Sequence, residues 1–254
     1  FKTPLNIILA TMQLINKNIE NKNIISNEEV DLKKYMTSIK QNCYRLLRLV
    51  NNIIDMNKID YGYYDIELGN YNIVSVVEDI TMSVLEYIKN KGIELIFDTD
   101  TEEEIIACDP DKIERIILNL LSNAIKYTRP DGKIIVNINS DKENVYISVK
   151  DTGIGMPKQK LNKIFNRYEQ IDNKLTKSFN GSGIGLSLVK SLVELHGGVV
   201  YLEKNVEQGC EFVIKLPNKI LDESKNEEIK SIDIDNKPLI QKVNIEFSDI
   251  YELY

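Results

Sequence analysis

The most specific signal in this chain is the stretch NLLSNAIKYT at residues 119–128. Its surroundings are strongly apolar with helical spacing, yet Asn119 and Asn123 lie four residues apart and therefore on one face of the helix. A buried amide without a hydrogen-bond partner is costly, so both side chains need partners. One interpretation is that they cap a loop or bond to the backbone. The other is that their oxygens are ligands of Mg²⁺, which prefers oxygen; Lys126, one turn further on, would then reach a phosphate.

The segments around this helix predict an α+β sandwich, in which helices cover one face of a mixed, largely antiparallel sheet. Asp109 and Pro110 are typical of a helix N-cap and of the first helical position, so the helix is expected to begin there. Alternating apolar and polar residues predict a hairpin from KIIVNINS and NVYISVKD. The other expected elements are helices at 73–91 and 184–195, and strands at 93–99, 105–109, VVYLEK and CEFVIKL.

The turn DTGIGMP, residues 151–157, follows one of these strands. A carboxylate followed by Gly153 and Gly155 places an acceptor beside backbone that a flat ligand can approach closely. Asp151 is suited to accept a hydrogen bond from the exocyclic amine of adenine, whereas guanine presents a carbonyl at that place. The pattern alone is weak, because a glycine turn is its commoner explanation.

A third stretch, NGSGIGLSL, leads three glycines straight into a helix. Free amides at a helix N-terminus bind phosphate, so Gly181, Gly183 and Gly185 are candidates for phosphate contacts. The stretch is neither a GxxxxGK[ST] loop, since no lysine follows, nor a dinucleotide fingerprint, since no strand precedes it. A flexible hinge is the alternative, and it is compatible with a lid formed by the long polar stretch 156–182.

Two helices are predicted before the sandwich, with apolar residues at alternating steps of three and four. Two helices alone bury little, so this hairpin is expected to pair with a second copy as a four-helix bundle. Packing of the hairpin on the following domain is the alternative. The predicted seams are Leu5, Ile8, Met12, Ile15 and Ile19 in the first helix, and Leu32, Met36, Ile39, Cys43, Leu46, Val50 and Ile53 in the second.

Composition narrows the functional classes. The net charge of −7 argues against a nucleic-acid-binding protein, because such proteins usually present a basic face. No apolar run approaches the roughly 20 residues that span a bilayer, and no secretory leader is predicted. Scattered cysteines without metal-ligand spacing, Cys43, Cys108 and Cys210, are typical of a reducing cytosol. A cytoplasmic location is predicted, which is also compatible with the cytoplasmic part of a longer membrane-anchored receptor.

The end of the chain gives weaker signals. Residues 218–236 are charged and are interpreted as a mobile linker. VNIEF, residues 243–247, alternates apolar and polar residues and is interpreted as an edge strand that docks on the sheet or on a partner. A loosely ordered tail is the alternative.

Together these stretches resemble those of a two-component sensor histidine kinase, from Phe1 to about Pro217. NLLSNAIKYT resembles the family's N box, DTGIGMP its first glycine box, IFNRYEQID its phenylalanine box and GSGIGLSLVKSLVELHGG its second glycine box. The resemblance implies an antiparallel helical hairpin, half of a dimeric four-helix bundle, followed by the α/β ATP-binding sandwich shared with gyrase and the mismatch-repair ATPases.

The resemblance also implies roles for individual residues. Asp151 would read adenine, and Asn123 would hold Mg²⁺ with Asn119 beside it. Lys126 and Tyr127 would contact phosphate and nucleotide, under a lid formed by residues 156–182. The other nucleotide-binding residues implied are Gly153, Gly155, Arg167, Gly181, Gly183, Gly185 and Leu186.

The first residues, FKTPLN, resemble the end of the family's H box, H-E-[FL]-[KR]-T-P-L. The resemblance implies a phosphoacceptor histidine two residues before Phe1, with a glutamate between them. Thr3 would lie on the helical face of that histidine and help to place a water that dephosphorylates a partner receiver domain. Pro4 is expected to bend the helix at this point.

His196, the sole histidine, lies at a helix end before two glycines, and a capping role is predicted for it rather than phosphorylation. Many relatives carry an arginine at the position of Gln170, where it meets the terminal phosphate. Arg167, three residues earlier, is the alternative candidate on the same lid segment.

The function implied is that of an ATP-dependent protein histidine kinase, which passes the terminal phosphoryl group of Mg-ATP to histidine and then to an aspartate of a response regulator. The predicted domains are 1–62 (homodimerisation and phosphotransfer), 63–217 (ATP binding) and 218–254 (tail), with residues 61–72 as a hinge. The alternatives are a non-catalytic nucleotide-binding scaffold and an ATP-driven clamp of the same nucleotide fold.

Overall fold

A computed structural model describes residues 2–20, 28–157, 160–161, 163–169, 182–203, 208–222, 236–248 and 250. The predicted linker at 218–236 lies largely outside these residues. The helices are α1 (Lys2–Glu20), α2 (Glu28–Asp60), α3 (Ile73–Ser83), α4 (Leu85–Asn90), α5 (Pro110–Tyr127), α6 (Gly185–Leu195) and α7 (Asn236–Glu246). The strands are β1 (Gly69–Asn72), β2 (Glu94–Thr99), β3 (Ile105–Cys108), β4 (Lys133–Ser140), β5 (Asn144–Asp151), β6 (Val199–Leu202) and β7 (Cys210–Pro217).

The first two helices, α1 and α2, pack against each other, as the hairpin prediction requires. Much of their predicted seam is nevertheless accessible in the single chain: Leu5 is 48% exposed, Met12 50% and Met36 57%. Apolar side chains on long helices normally bury such surface. The hairpin therefore has an apolar face that the described part of this one chain leaves uncovered.

The main sheet has five strands in the order β2-β4-β5-β7-β6. β2 runs parallel to β4, and the other pairs are antiparallel, so the predicted mixed, largely antiparallel sheet is confirmed. A separate antiparallel pair, β1 with β3, lies beside it. β1 falls within residues 61–72, for which only a hinge was predicted, because a four-residue strand with no apolar alternation gives no periodic signal.

Helices α3, α5 and α6 cover one face of this sheet and share one apolar core with it. The helix predicted at 73–91 is interrupted at Val84 and forms α3 and α4. Near the break, the Thr81 hydroxyl donates to the Val77 carbonyl at 2.7 Å, and the Ser83 hydroxyl donates to the Ile80 carbonyl at 2.6 Å. Such local bonds compete with the backbone ladder and favour a helix end.

The edge strand predicted at VNIEF is wrong, because these residues belong to α7 and to the turn that follows it. Leu239, Val243 and Phe247 recur every four residues, and Ile250 follows; all four are buried. This helical period outweighs the short alternation seen within five residues. α7 packs on helices α2, α3 and α5, and not on the edge of the sheet.

Candidate functional site

Helix α5 carries the asparagines, and its start is firmly capped. Asp109 is the N-cap: its carboxylate accepts the backbone N–H of Lys112 at 3.3 Å and that of Glu67 at 3.0 Å. Pro110 occupies the first helical position, where no N–H is required. The cap fixes where the helix begins and therefore which of its faces Asn119 and Asn123 occupy.

Asn119 is fully buried, with 0% of its surface exposed. Its Nδ2 donates to the Arg115 carbonyl at 3.0 Å, but its Oδ1 has no hydrogen-bond partner among the described residues. A Cβ placed on Gly185, the first residue of α6, would come within 2.8 Å of this oxygen. The unpaired oxygen therefore lies at the N-terminus of α6, where burial makes an acceptor without a donor costly.

The next residues of α5 continue toward the end of β5. Asn123 is partly exposed one turn after Asn119, and Lys126 is buried except for 7% of its surface. The Lys126 ammonium lies 5.4 Å from the centre of the Tyr127 ring. An amide and a cation therefore follow Asn119 along the helix.

Asp151 ends β5 and is buried, with 5% of its surface exposed. Burial raises the pKa of its carboxyl to about 6, opposed by hydrogen bonds from the backbone of Gly153 and Cys210. The Gly153 N–H donates to Oδ1 at 2.8 Å. Two backbone donors thus fix the orientation of a carboxylate that has lost most of its water.

The turn after Asp151 is joined directly to the end of α5. The Ile154 N–H donates to the Tyr127 carbonyl at 3.3 Å, and a Cβ on Gly153 would lie 2.5 Å from that carbonyl oxygen. Gly155 has φ +69, which favours glycine. The asparagine-bearing helix and the first glycine turn therefore form one continuous wall.

The second glycine stretch leads into α6. Gly183 has φ +70, and its carbonyl accepts the Tyr168 N–H at 2.8 Å, which joins it to the phenylalanine-box segment. The N-cap residue of α6, Ile184, offers no side-chain hydrogen bond to the first turn. Gly185 and Leu186, both partly buried, are the first residues of α6. Gly181 lies outside the described residues.

Arg167 takes a different place from the other candidates. Its guanidinium forms a two-pronged ion pair with Asp60 at the end of α2. The Arg167 hydrogen bond is the main reason why the pKa of Asp60 is lowered. In this arrangement the arginine binds the hairpin rather than the cleft, and Gln170 lies outside the described residues. Thr3, exposed in the first turn of α1, is likewise part of the hairpin.

His196 follows α6 as its C-cap residue and is buried. Its Nδ1 lies 2.7 Å from the Leu192 carbonyl, and its Nε2 accepts the Asp109 N–H at 3.2 Å. Burial is the main reason why its pKa is lowered, so the neutral ring is favoured. Both ring nitrogens are engaged in joining the end of α6 to the cap of α5, which agrees with the predicted capping role.

Two residues that the sequence did not single out support this arrangement. Gly209, with φ +80, lies so close to Asp151 that a Cβ there would overlap its carbonyl oxygen. Arg115 forms an ion pair with Asp55 of α2 and donates to the Asn52 side chain at 2.8 Å. A glycine before a strand is typical of any turn, and an arginine within an amphipathic helix is typical of a solvated face. Neither position therefore carried a specific signal.

Comparison with known proteins matches this arrangement to one family. Residues 108–220 match the family described as histidine kinase-, DNA gyrase B- and HSP90-like ATPases. Histidine kinase P4 of Formosa agariphila is 33% identical over 220 residues, which cover 85% of this chain and 16% of that protein. The chain belongs to the histidine kinase family.

Two further proteins agree with this assignment. The circadian input-output histidine kinase CikA of Synechococcus elongatus is 30% identical over 74% of this chain and 25% of its own length. The solved structure of histidine kinase ThkA in complex with the response regulator protein TrrA matches with a TM-score of 0.60 and 26% identity, over 84% of this chain and 59% of that one. This histidine kinase chain spans 16% of the length of histidine kinase P4 and 25% of that of CikA. Among its described helices, none is both long and apolar enough to cross a bilayer.

Proposed function

We propose that this chain binds ATP with Mg²⁺ and transfers its terminal phosphoryl group to a histidine side chain. The observation that carries the proposal is the position of the unpaired Asn119 Oδ1, which lies at the N-terminus of α6. The helix that carries it, α5, is also hydrogen-bonded at its end to the turn after Asp151. These groups offer what ATP needs at its two ends. One end is an acceptor for adenine, and the other combines oxygen ligands with free amides for phosphate.

At the adenine end, the proposed reader of the base is Asp151. Its carboxylate is held by the Gly153 N–H, and the neighbouring glycines leave no side chain over the turn. A buried acceptor favours the exocyclic amine of adenine and is unfavourable for the carbonyl of guanine. The proposed substrate is therefore ATP in preference to GTP.

At the phosphate end, the first turn of α6 supplies backbone amides, and Lys126 supplies a positive charge. Asn123 is proposed to hold the metal ion, with Asn119 beside it. The unpaired, buried Oδ1 of Asn119 fits a site for an oxygen-seeking cation. Bound there, Mg²⁺ would offset negative charge on the phosphates. Gly153, Gly155, Gly181, Gly183, Gly185 and Leu186 are proposed to line the nucleotide, and the contribution of Arg167 requires release from Asp60.

The proposed reaction moves one phosphoryl group. A neutral imidazole nitrogen attacks the terminal phosphorus, a P–N bond forms, and the bond from that phosphorus to the ADP oxygen breaks. The phosphoryl group then passes to an aspartate of a response regulator. ThkA, which resembles this chain, forms a complex with the response regulator TrrA, and this supports a receiver domain as the partner. Thr3 is proposed to help place the water that removes the phosphoryl group from the receiver domain.

A homodimer through α1 and α2 is proposed because the hairpin leaves an apolar face exposed. The residues that would be covered by a second copy include Leu5, Leu9, Met12, Leu32, Met36, Leu47, Val50 and Ile54. The predicted boundaries, 1–62, 63–217 and 218–254, follow this division of labour. Since ATP is a cytoplasmic nucleotide, the proposal places the chain in the cytoplasm; membrane anchoring stays a prediction.

A labelling experiment tests the proposed function. A version of the chain carrying two designed helical turns that end in His-Glu before Phe1 is incubated with ATP labelled at the terminal phosphate. We expect acid-labile label on this version, which should sediment as a dimer of about twice 29.2 kDa. The chain without this extension, and an extended version with Gln in place of the added histidine, are the controls and should stay unlabelled.

Two outcomes would contradict the proposal. Label at His196 of the chain without the extension would make the capping histidine the acceptor, although both its ring nitrogens are engaged in the structure. Nucleotide binding without label on a folded, dimeric extended version would favour the non-catalytic scaffold instead.

A further inference from the structure

Helix α7 and the turn that follows it occupy the space between α2 and the ATP-binding domain. On the domain side, Leu239, Val243, Phe247 and Ile250 are buried in the same core as α3 and α5. The Phe247 ring centre lies 5.6 Å from that of Tyr87. An element buried this deeply is part of the packing and not a loose appendage.

Polar contacts also join α7 to the domain. The Tyr87 hydroxyl donates to the Asn244 side chain at 3.0 Å. The Lys242 ammonium lies 2.9 Å from Asp111 and 3.0 Å from Glu114, both in the first turns of α5. These contacts fix the rotation of α7, which apolar packing alone leaves less defined.

A second set of contacts joins the same segment to α2. The side chains of Gln41 and Arg45 both donate to the Ser248 carbonyl at 3.0 Å. Arg48 forms an ion pair with Glu246 at 2.8 Å, with only 13% and 9% of the two side chains exposed. Separating a pair this buried would leave each charge buried without a partner. The Arg48–Glu246 contact is therefore hard to break on its own.

Glu246 is where the two sets meet. Its carboxylate faces Arg48 of α2, while its backbone carbonyl accepts the Ser122 hydroxyl at 3.1 Å. Ser122 lies on α5 between Asn119 and Asn123. A single residue of α7 therefore connects the hairpin to the helix that carries the proposed metal ligands.

α2 also contacts the domain directly, beside α6. There the two surfaces leave an open groove of about 380 Å³, lined by Met56, by Phe165 and the two residues after it, and by polar residues of α6. The ion pairs Arg115–Asp55 and Arg167–Asp60 bridge this side. The latter is about 40% exposed, and exposed pairs contribute little.

We propose that α7 is an internal clamp that holds the ATP-binding domain against α2 and must loosen before that domain can swing. The clamp itself follows from these contacts alone. Its effect on phosphoryl transfer rests on the proposed function, because delivery to a histidine on the hairpin requires the domain to move along α2. In the clamped arrangement the movement is restricted, and transfer is slowed.

The test measures the distance between hairpin and domain. Spin labels are placed at Lys34→Cys on α2 and Lys142→Cys in the β4–β5 turn, both exposed positions, with Cys43→Ser to remove the exposed thiol. Burial raises the pKa of the Cys108 and Cys210 thiols to about 12, so they should not react. Labelled chains are diluted with excess unlabelled protein so that a dimer carries at most one labelled copy.

The clamp-breaking variant combines Arg45→Ala with Arg48→Ala, and both changes lie on α2 outside the domain's core. We expect one narrow distance distribution in the parent protein and a broadened one with a longer component in the variant. Glu246→Gln, which keeps the shape but removes the charge facing Arg48, should give an intermediate result. Lys40→Ala with Lys58→Ala removes two exposed charges from the same helix and should leave the distribution unchanged.

An unchanged narrow distribution in the Arg45→Ala, Arg48→Ala variant would overturn the clamp, provided hydrogen exchange shows β4, β5 and β7 still protected. In the His-Glu-extended version, the same variant should be labelled about tenfold faster than its parent. Absence of label in every version, together with a broadened distance distribution in the variant, would contradict the proposed function and still support the clamp. Equal labelling rates in the variant and its parent, together with unchanged distance distributions, would contradict the clamp alone.

Discussion

Replacing Asp151 by Asn is expected to lower the affinity for ATP by roughly 100-fold, which corresponds to the loss of one hydrogen bond to a buried charged group. The carboxylate accepts N–H groups of Gly153 and Cys210 and retains acceptor capacity for adenine. An amide of the same shape has one acceptor fewer, and its NH₂ group would face either a backbone donor or the amine of adenine. Calorimetric titration with ATP measures the change.

The same substitution is expected to stabilise the empty protein at neutral pH. The folded pKa of Asp151, about 6, lies above the ordinary aspartate pKa of 3.8. Its contribution to stability is therefore fully present below pH 3.8 and is lost as the pH rises through about 6. At pH 7.5 the buried carboxylate costs on the order of 3 kcal/mol, part of which Asn should recover. Thermal unfolding should show a higher midpoint at pH 7.5 and no gain at pH 4.

The control for both measurements is Asp79→Asn, which removes a carboxylate from the exposed face of α3. It should change neither ATP affinity nor the unfolding midpoint appreciably. ATP binding by the parent protein should weaken as the pH falls through about 6, as Asp151 takes up a proton. Unchanged affinity in Asp151→Asn, or binding that is insensitive to pH between 5 and 7.5, would remove this residue from the site.

Replacing Asn123 by Ala is expected to abolish most of the gain in ATP affinity that Mg²⁺ provides. Loss of an amide oxygen from the metal site should weaken binding by about 30-fold in the presence of Mg²⁺. In EDTA, where no metal is held, affinity should be nearly the same in both proteins. Alanine favours helix, so α5 should stay intact. Titrations with ATP, with and without Mg²⁺, separate the two contributions.

The matched control is Asn137→Ala on β4, a partly buried asparagine of the sheet away from the glycine turns. It should preserve the full effect of Mg²⁺. An equal loss of affinity in Mg²⁺ and in EDTA for Asn123→Ala would assign this side chain to the shape of the pocket instead. No loss in either condition would remove it from the site.

Much of the fold was predictable because short local patterns in the sequence indicate its helices and strands. Asp109 and Pro110 mark the start of α5, and period-two alternation marks β4 and β5. In β4 and β5, burial in the structure alternates with the same period as the sequence. The glycine stretches were recognisable because positive φ at Gly155 and Gly183 and the close approach at Gly153 tolerate no side chain.

What escaped prediction depends on contacts between distant segments. Arg167 pairs with Asp60, 107 residues away, and no local pattern indicates which of many carboxylates an exposed arginine will meet. α7 was misinterpreted because its helical face is completed only by Phe247 and Ile250, and because the groove that buries them is made by α2, α3 and α5. Tertiary burial overrode a weak local signal there.

The central claim is that ATP and Mg²⁺ bind where α5, the turn after Asp151 and the first turn of α6 converge. A crystal structure with a nonhydrolysable ATP analogue and Mg²⁺ tests it most directly. We predict adenine against the Asp151 carboxylate, the metal ion on the Asn123 oxygen, and phosphates at the first turn of α6. A nucleotide bound elsewhere, with Asn119 Oδ1 still unpaired and side chains filling the space between these elements, would contradict the account.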